Sequence, residues 1–463
     1  MNRFRRLALY GGPLLGALVG GWLWNLGLAG GACWTAAITT LCAAWWVLEP
    51  VPMPVTALIP FAAFPLTGVL NHREVAHSYG HTLVLLMLAG SMVGTALERS
   101  GAHRRLALGM ARAVGGKSAP RLVLGFLLAS AILSMWISNT ATVVMLMPVV
   151  LAVLNYHKEE GARLAIPLLL AIAYGGAIGG TATPIGTPPN LIFLSHYELA
   201  TGREISFAGW VRIGLPAVLV MLPIVWLWLS RRIKDVRPPS LPELGPWRSD
   251  ERRVVAVFAL AALAWMTRSD PFGGWGTTLG VSDTAGDSTV GLAAVVVMFL
   301  IPRGKDGDGA LLDWETAVRI PWGVFIMIGG GMAIGQAFQS SGLGQLLGEA
   351  LVPLTDQPAW IMVGLVALSS TFITEITSNT AVANVMMPVL AVVGVASGID
   401  PIWLMVPATL GLNWAFMLPV ATASNAFVYG TGRITTTEMA REGFALNLAG
   451  CVVITVLSLL VLG

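Results

Sequence analysis

Long apolar runs separated by short polar connectors dominate the chain. A helix needs about 20 apolar residues to cross the hydrocarbon core of a bilayer. Runs of that order predict eleven transmembrane helices, at residues 7–28, 32–49, 53–70, 82–98, 164–186, 207–230, 253–268, 288–302, 320–340, 401–421 and 443–462. Two further apolar segments, 120–155 and 358–395, are each split near the middle by the same polar triplet. The first split is Ser138-Asn139-Thr140, preceded by Ser134 and followed by Met147-Pro148. The second, 240 positions later, is Ser378-Asn379-Thr380, preceded by Thr374 and Glu375 and followed by Met387-Pro388. Small polar residues in apolar sequence are costly to bury without partners, so a duplicated triplet calls for a reason.

Basic residues near span ends mark the cytoplasmic side. Arg3, Arg5 and Arg6 put the N-terminus there, and the run from Glu98 to Arg105, continued by Arg112, Lys117 and Arg121, agrees after four crossings. Lys158 and Arg163 close the first triplet segment on that same side, so 120–155 reads as a re-entrant hairpin entering from the cytoplasm. The second triplet segment lies between stretches without Lys or Arg, Ser341 to Gln357 and Ala396 to Asp400, so 358–395 enters from outside. Charge placement alone thus predicts two inverted repeats, 31–232 and 253–463, after an N-terminal span (1–30) and joined by a cytoplasmic linker (233–252). The C-terminus falls outside. A further echo is Ala96 to Gly101 against Ala337 to Gly342. Inverted halves with interrupted helices at matching places point to a secondary transporter with its site near the membrane midplane.

Composition fits this picture. The 463 residues are 56% hydrophobic and 11% charged, against about a quarter charged in an average soluble protein. The formal net charge of +3 is small, and nothing suggests a nucleic-acid partner. Cys33, Cys42 and Cys451 lie in apolar sequence without ligand spacing and read as packing residues, leaving no disulfide or resident metal case. The apolar run after the basic N-terminus is too long for a secretory leader.

Two spans carry their own interruptions. Gly186-Thr187-Pro188-Pro189-Asn190 breaks the 164–186 span, because adjacent prolines remove backbone donors. Ala421-Thr422-Ala423-Ser424-Asn425 breaks the 401–421 span. Unpaired backbone at membrane depth is tolerated only around a cavity or inside protein. Hairpin tips and breaks present helix N-terminal amides that attract anions, and free carbonyls that suit a hard cation. Ser134 and Ser138 share one helical face at i, i+4, as do Thr374 and Ser378, and each pair supplies oxygens for one cation site. Gly186 and Ala421 would complete the two sites with released carbonyls. A single such triplet reads as ordinary helix–helix hydrogen bonding. Duplication together with paired breaks favours a binding site. Glu375 has two open readings, as a proton relay or cation ligand and as a hydrogen-bonded structural acid. His72, His77 and His81 read as interfacial, and Trp22, Trp24, Trp45 and Trp46 as interface anchors or packing.

In these motifs the sequence resembles the divalent-anion:sodium symporter family, whose members carry dicarboxylates, citrate or sulfate. The resemblance covers nearly the whole chain. It implies a homodimer in the bacterial cytoplasmic membrane, with a scaffold domain and a transport domain that moves as an elevator. It implies a first sodium site at Ser134, Ser138, Asn139 and Gly186, and a second at Thr374, Ser378, Asn379 and Ala421. It implies substrate contacts from Ser138, Asn139, Thr140, Thr187, Ser378, Asn379, Thr380 and Thr422. The implied activity is sodium-coupled import of C4 dicarboxylates (succinate, malate, fumarate) with co-transported sodium and no organic cofactor. Alternatives are an exchanger or a sulfate or citrate carrier of the same fold, and, more distantly, a channel-like or enzymatic membrane protein using Glu375. No nucleophile–His pair or metal cluster supports an enzyme. The second break departs from the family pattern, with Ala423 and Ser424 where prolines are usual.

Overall fold

The computed structural model describes residues 3–115, 118–156, 158–233, 236, 245–269, 274–305, 307–351 and 357–462. Among them every regular element is a helix, apart from an isolated bridge between Pro302 and Ala310. Seven helices are long and apolar enough to cross a membrane. The first triplet joins helices Ala119–Ser134 and Asn139–Tyr156, and the second joins Ala359–Thr374 and Asn379–Ala396. Both apolar segments are therefore two helices interrupted at the triplet. At the first tip the Ala141 amide donates to Ser138 Oγ at 3.2 Å, a local bond that favours a helix start over continuation.

The breaks begin earlier than expected. Helix Lys158–Gly179 passes into a single 3₁₀ turn, Gly180–Ala182, then a turn closed by the Gly186 amide on the Thr183 carbonyl, before Pro188–Thr201 resumes. Helix Ile402–Asn413 stops eight residues before Ala421 and restarts at Ala423–Tyr429. In the first break the chain packs directly on helix Ala119–Ser134, where a Cβ at Gly179 would stand 2.1 Å from the Ala131 carbonyl oxygen. The prolines at 188 and 189 set the restart, since they fit the first helical positions and push Thr187 into extended backbone (ψ 147°).

Each break is tied by one asparagine. Asn190 Nδ2 donates to the carbonyls of Gly180 (3.0 Å) and Thr183 (2.7 Å). Asn425 Nδ2 donates to those of Ala415 and Leu418, both at 3.1 Å. All three positions recur at the same spacing of 235 residues, so the duplication read from the triplets extends to the bonding of the breaks.

Other segments differ from the predicted spans. The 53–70 span is two pieces, Met53–Thr56 and Ile59–Thr67. The basic segment after Gly101 is an amphipathic helix, Ala102–Gly115, that buries Ala107, Leu108 and Ala111. Part of the stretch after Ser341 is helix Leu343–Leu351, and residues 352–356 lie outside the described residues. So do 234, 235 and 237–244 of the predicted linker, whose last residues open helix Ser249–Met266. Cys33, Cys42 and Cys451 are buried and free.

Two glycine pairs mark close packing. On helix Trp322–Ser340, a Cβ at Gly331 would fall 1.9 Å from Asn384 Oδ1, and one at Gly335 would fall 2.5 Å from the His196 ring. His196 Nε2 and Asn384 Oδ1 are buried without a hydrogen-bond partner among the described residues. Gly90 and Gly94 on helix Thr82–Ser100 stand 241 positions earlier and face Ile185 and the Trp136–Ile137 backbone more loosely.

A buried ion cluster fastens the loop that precedes helix Asp287–Leu300. Arg268 Nε donates to Asp287 Oδ1 at 2.6 Å and its Nη2 to Glu204 at 2.9 Å, while the Phe207 amide donates to Asp287 Oδ2 at 2.8 Å. Removing the guanidinium leaves an uncompensated buried carboxylate, which costs about 3–5 kcal/mol. Arg268→Ala is therefore expected to lower the thermal unfolding midpoint of the purified protein clearly, and an unchanged midpoint would contradict that role.

Candidate functional site

Four helices begin at one cavity of about 990 Å³, at Asn139, Pro188, Asn379 and Ala423. Its wall brings together Ser138, Asn139, Thr140, Gly186 and Thr187 from the first half and Ser378, Asn379, Thr380, Ala421 and Thr422 from the second. Residues far apart in sequence thus form a single chamber. Ser134 and Thr374 do not line it. Both are fully buried behind the tips, where Ser134 Oγ donates to Asn139 Oδ1 and Thr374 Oγ1 donates to Asn379 Oδ1 at 2.6 Å. The same bond in both halves fixes each asparagine amide.

The electrostatics of the chamber come from backbone and hydroxyl dipoles. Three helices of fourteen residues or more point their positive ends at it, through Asn139, Pro188 and Asn379. The helices that precede the tips and breaks end at Ser134, Gly179, Thr374 and Asn413, which brings carbonyl-bearing ends close by. The charged residues of the wall are Glu49, Glu98 and Arg319, each solvent-exposed, and none of them belongs to a tip or a break. The wall segments at the tips and breaks carry no charged side chain, so an anion there meets N–H and O–H groups and a hard cation meets uncharged oxygens.

Several positions carry bonds that the sequence reading did not assign. Thr187 Oγ1 donates to Asn413 Oδ1 at 2.8 Å, and Asn413 Nδ2 donates to Asn190 Oδ1 at 2.7 Å. Asn413 thereby straps the first break to the end of the helix that precedes the second. Trp414 Nε1 donates to Thr181 Oγ1 at 3.1 Å, a further tie between the breaks, and Tyr174 Oη on helix Lys158–Gly179 donates to the Phe416 carbonyl at 2.7 Å. Asn190 and Asn425 could have been found from their place in the paired breaks. Asn413 has no such signal, because its counterpart 235 positions earlier is Ile178.

Glu375 is buried and hydrogen-bonded. It is 3% exposed, lies outside the cavity wall, and accepts from the amides of Met417 and Leu418 (2.9 Å each) and from Asn447 Nδ2 (2.7 Å).

Residues 43–411 match the citrate transporter family CitMHS. A sodium-dependent dicarboxylate transporter of Staphylococcus saprophyticus is 39% identical over 90% of this chain and 84% of its own length. The corresponding Staphylococcus aureus protein is 37% identical over the same shares. Among solved structures, the YdaH transporter of Alcanivorax borkumensis aligns with a TM-score of 0.56 at 13% identity, covering 84% of this chain and 88% of its own. The Neisseria gonorrhoeae efflux pump MtrF aligns with a TM-score of 0.53 at 12% identity, covering 83% and 82%. At those identities the two structures speak for fold alone.

Proposed function

The chain belongs to the citrate-transporter type of divalent-anion:sodium symporter, an integral membrane transporter and not an enzyme, and on that premise we propose that it couples sodium to the import of C4 dicarboxylates such as succinate, malate and fumarate. The observation that carries this reading is the single chamber walled by both Ser-Asn-Thr tips, where neither tip nor break contributes a basic side chain. A dianion there is balanced by co-bound cations. At about 4 Å and an effective dielectric constant of about 20, each cation contributes on the order of 4 kcal/mol of attraction per carboxylate charge. Without them the dianion meets only dipoles. This is the physical basis of coupling.

In this reading Ser134, Ser138, Asn139 and Gly186 hold one sodium ion, and Thr374, Ser378, Asn379 and Ala421 the other. The substrate carboxylates rest on Ser138, Asn139, Thr140 and Thr187 on one side and Ser378, Asn379, Thr380 and Thr422 on the other. Ser138, Asn139, Ser378 and Asn379, shared by both lists, join cation to anion. Glu49, Glu98 and Arg319 stand at span ends that the charge pattern assigns to the cytoplasm, so the chamber is open inward. The hairpins move as part of a transport domain in each protomer of a homodimer, carrying the site across the bacterial cytoplasmic membrane.

The test is uptake of labelled succinate into proteoliposomes with and without an inward sodium gradient. Concentrative uptake that requires the gradient is expected. Sodium-independent uptake that requires internal dicarboxylate would replace symport with exchange, and absence of uptake would remove the substrate class.

A further inference from the structure

The two breaks are built alike but are held differently. In the first, Pro188 and Pro189 occupy the opening positions of the restarting helix, and Thr183 Oγ1 donates to the Met135 carbonyl just below the first tip. In the second, Ala423 and Ser424 replace both prolines, and Leu418 stands where the repeat has Thr183. Leu418 has no side-chain donor, so that bond cannot form there. The second half instead uses position 375, the counterpart of Met135 at the 240-residue spacing. The Glu375 carboxylate accepts the Met417 and Leu418 amides, and Asn447 joins it to a third point by donating to Oε1 while its own Oδ1 accepts the Phe416 amide at 3.2 Å. Three consecutive amides of a non-helical segment are thereby fixed. Ala421 follows only three residues later, and Thr374, bonded to Asn379 Oδ1, is Glu375's neighbour in sequence.

We propose that Glu375, braced by Asn447, is the positioning residue of the second cation site, setting the carbonyl geometry of the second break in place of the missing prolines. It acts without touching the cation. The inference rests on the sodium-coupled reading above. A carboxylate suits the task because a charged acceptor binds backbone N–H more strongly than a neutral one, and two oxygens span two adjacent amides. Glutamine keeps the shape but turns one acceptor into a donor facing an amide, so one of the two backbone bonds is lost.

The experiment measures the sodium dependence of succinate uptake in proteoliposomes for the parent protein, Glu375→Gln, and Glu375→Gln combined with Ala423→Pro and Ser424→Pro. Glu375→Gln is expected to raise the half-saturating sodium concentration about tenfold and to flatten the cooperativity of the curve, with uptake at saturating sodium largely kept. The two prolines fit the first helical positions, where the amides need no intrahelical partner, and are expected to recover most of that shift. Should Glu375→Gln fail to reach the membrane, Asn447→Leu removes one brace and is expected to shift the curve about threefold in the same direction. A steep parent curve left unchanged by Glu375→Gln or Asn447→Leu overturns the proposal alone. So does a uniform loss at all sodium concentrations that the prolines do not restore. A flat parent curve overturns sodium coupling itself, and this inference with it.

Discussion

Asn139→Ala and Asn379→Ala are each expected to abolish sodium-driven succinate uptake, by about 10²-fold or more, while the protein still inserts and unfolds near the parent temperature. Each amide stands at a helix start in the chamber wall, and its Oδ1 is set by one buried hydroxyl, Ser134 for Asn139 and Thr374 for Asn379. Hydrogen bonds to charged groups are worth about 1.5–3 kcal/mol each, so a side chain that serves both a cation and a carboxylate loses two of them on truncation. At about 1.4 kcal/mol per decade, 3–6 kcal/mol is roughly two to four decades in rate or affinity. The stability cost is smaller, because one buried hydroxyl loses its acceptor at about 1–3 kcal/mol. Uptake assays paired with thermal unfolding in detergent separate the two effects. Near-parental uptake by both variants would remove the tips from the site.

Gly186→Ala is expected to be as damaging, through geometry instead of chemistry. Its added methyl would stand 2.3 Å from the Gly180 carbonyl oxygen and 2.8 Å from the Gly180 Cα. Both obstacles are backbone. Gly180 has no room to retreat, since a Cβ of its own would already lie 2.6 Å from Asn139 Oδ1. Displacing this pair therefore disturbs both the carbonyl at 186 and the asparagine opposite. The second half has alanine at the two corresponding positions, Ala415 and Ala421, and so accommodates a methyl that the first half cannot. Ala421→Gly is accordingly expected to be mild, and the contrast between the variants is the informative result. Equal uptake by Gly186→Ala and the parent would mean that the first break opens without cost.

The tips were legible in the sequence because burying Ser, Asn and Thr among apolar residues is costly, and because the pattern occurs twice. The prolines at 188 and 189 announced one break for a similar reason: they cannot continue a helix. The earlier onset of each break was hidden. Glycines such as Gly179 and Gly180 are common in membrane helices, so they carry no signal that a helix ends there. Asn413 was invisible because it is asymmetric and bonds to residues more than 220 positions away. The amphipathic helix Ala102–Gly115 was obscured by its own arginines, which suggest a solvated connector although its other face is buried. Glu375 was recognised as unusual, but the amides it binds lie in a segment that reads as the continuation of a span.

The glycines at 331 and 335 set a spacing. Side chains ordinarily keep neighbouring helices apart, and interiors leave few voids to absorb an added group. Here Asn384 and His196 rest against bare backbone, where a Cβ at Gly331 or Gly335 would stand 1.9 Å from Asn384 Oδ1 or 2.5 Å from the His196 ring. The distance from helix Trp322–Ser340 to its two neighbours is thus fixed by backbone thickness, and any side chain at either position would wedge them apart.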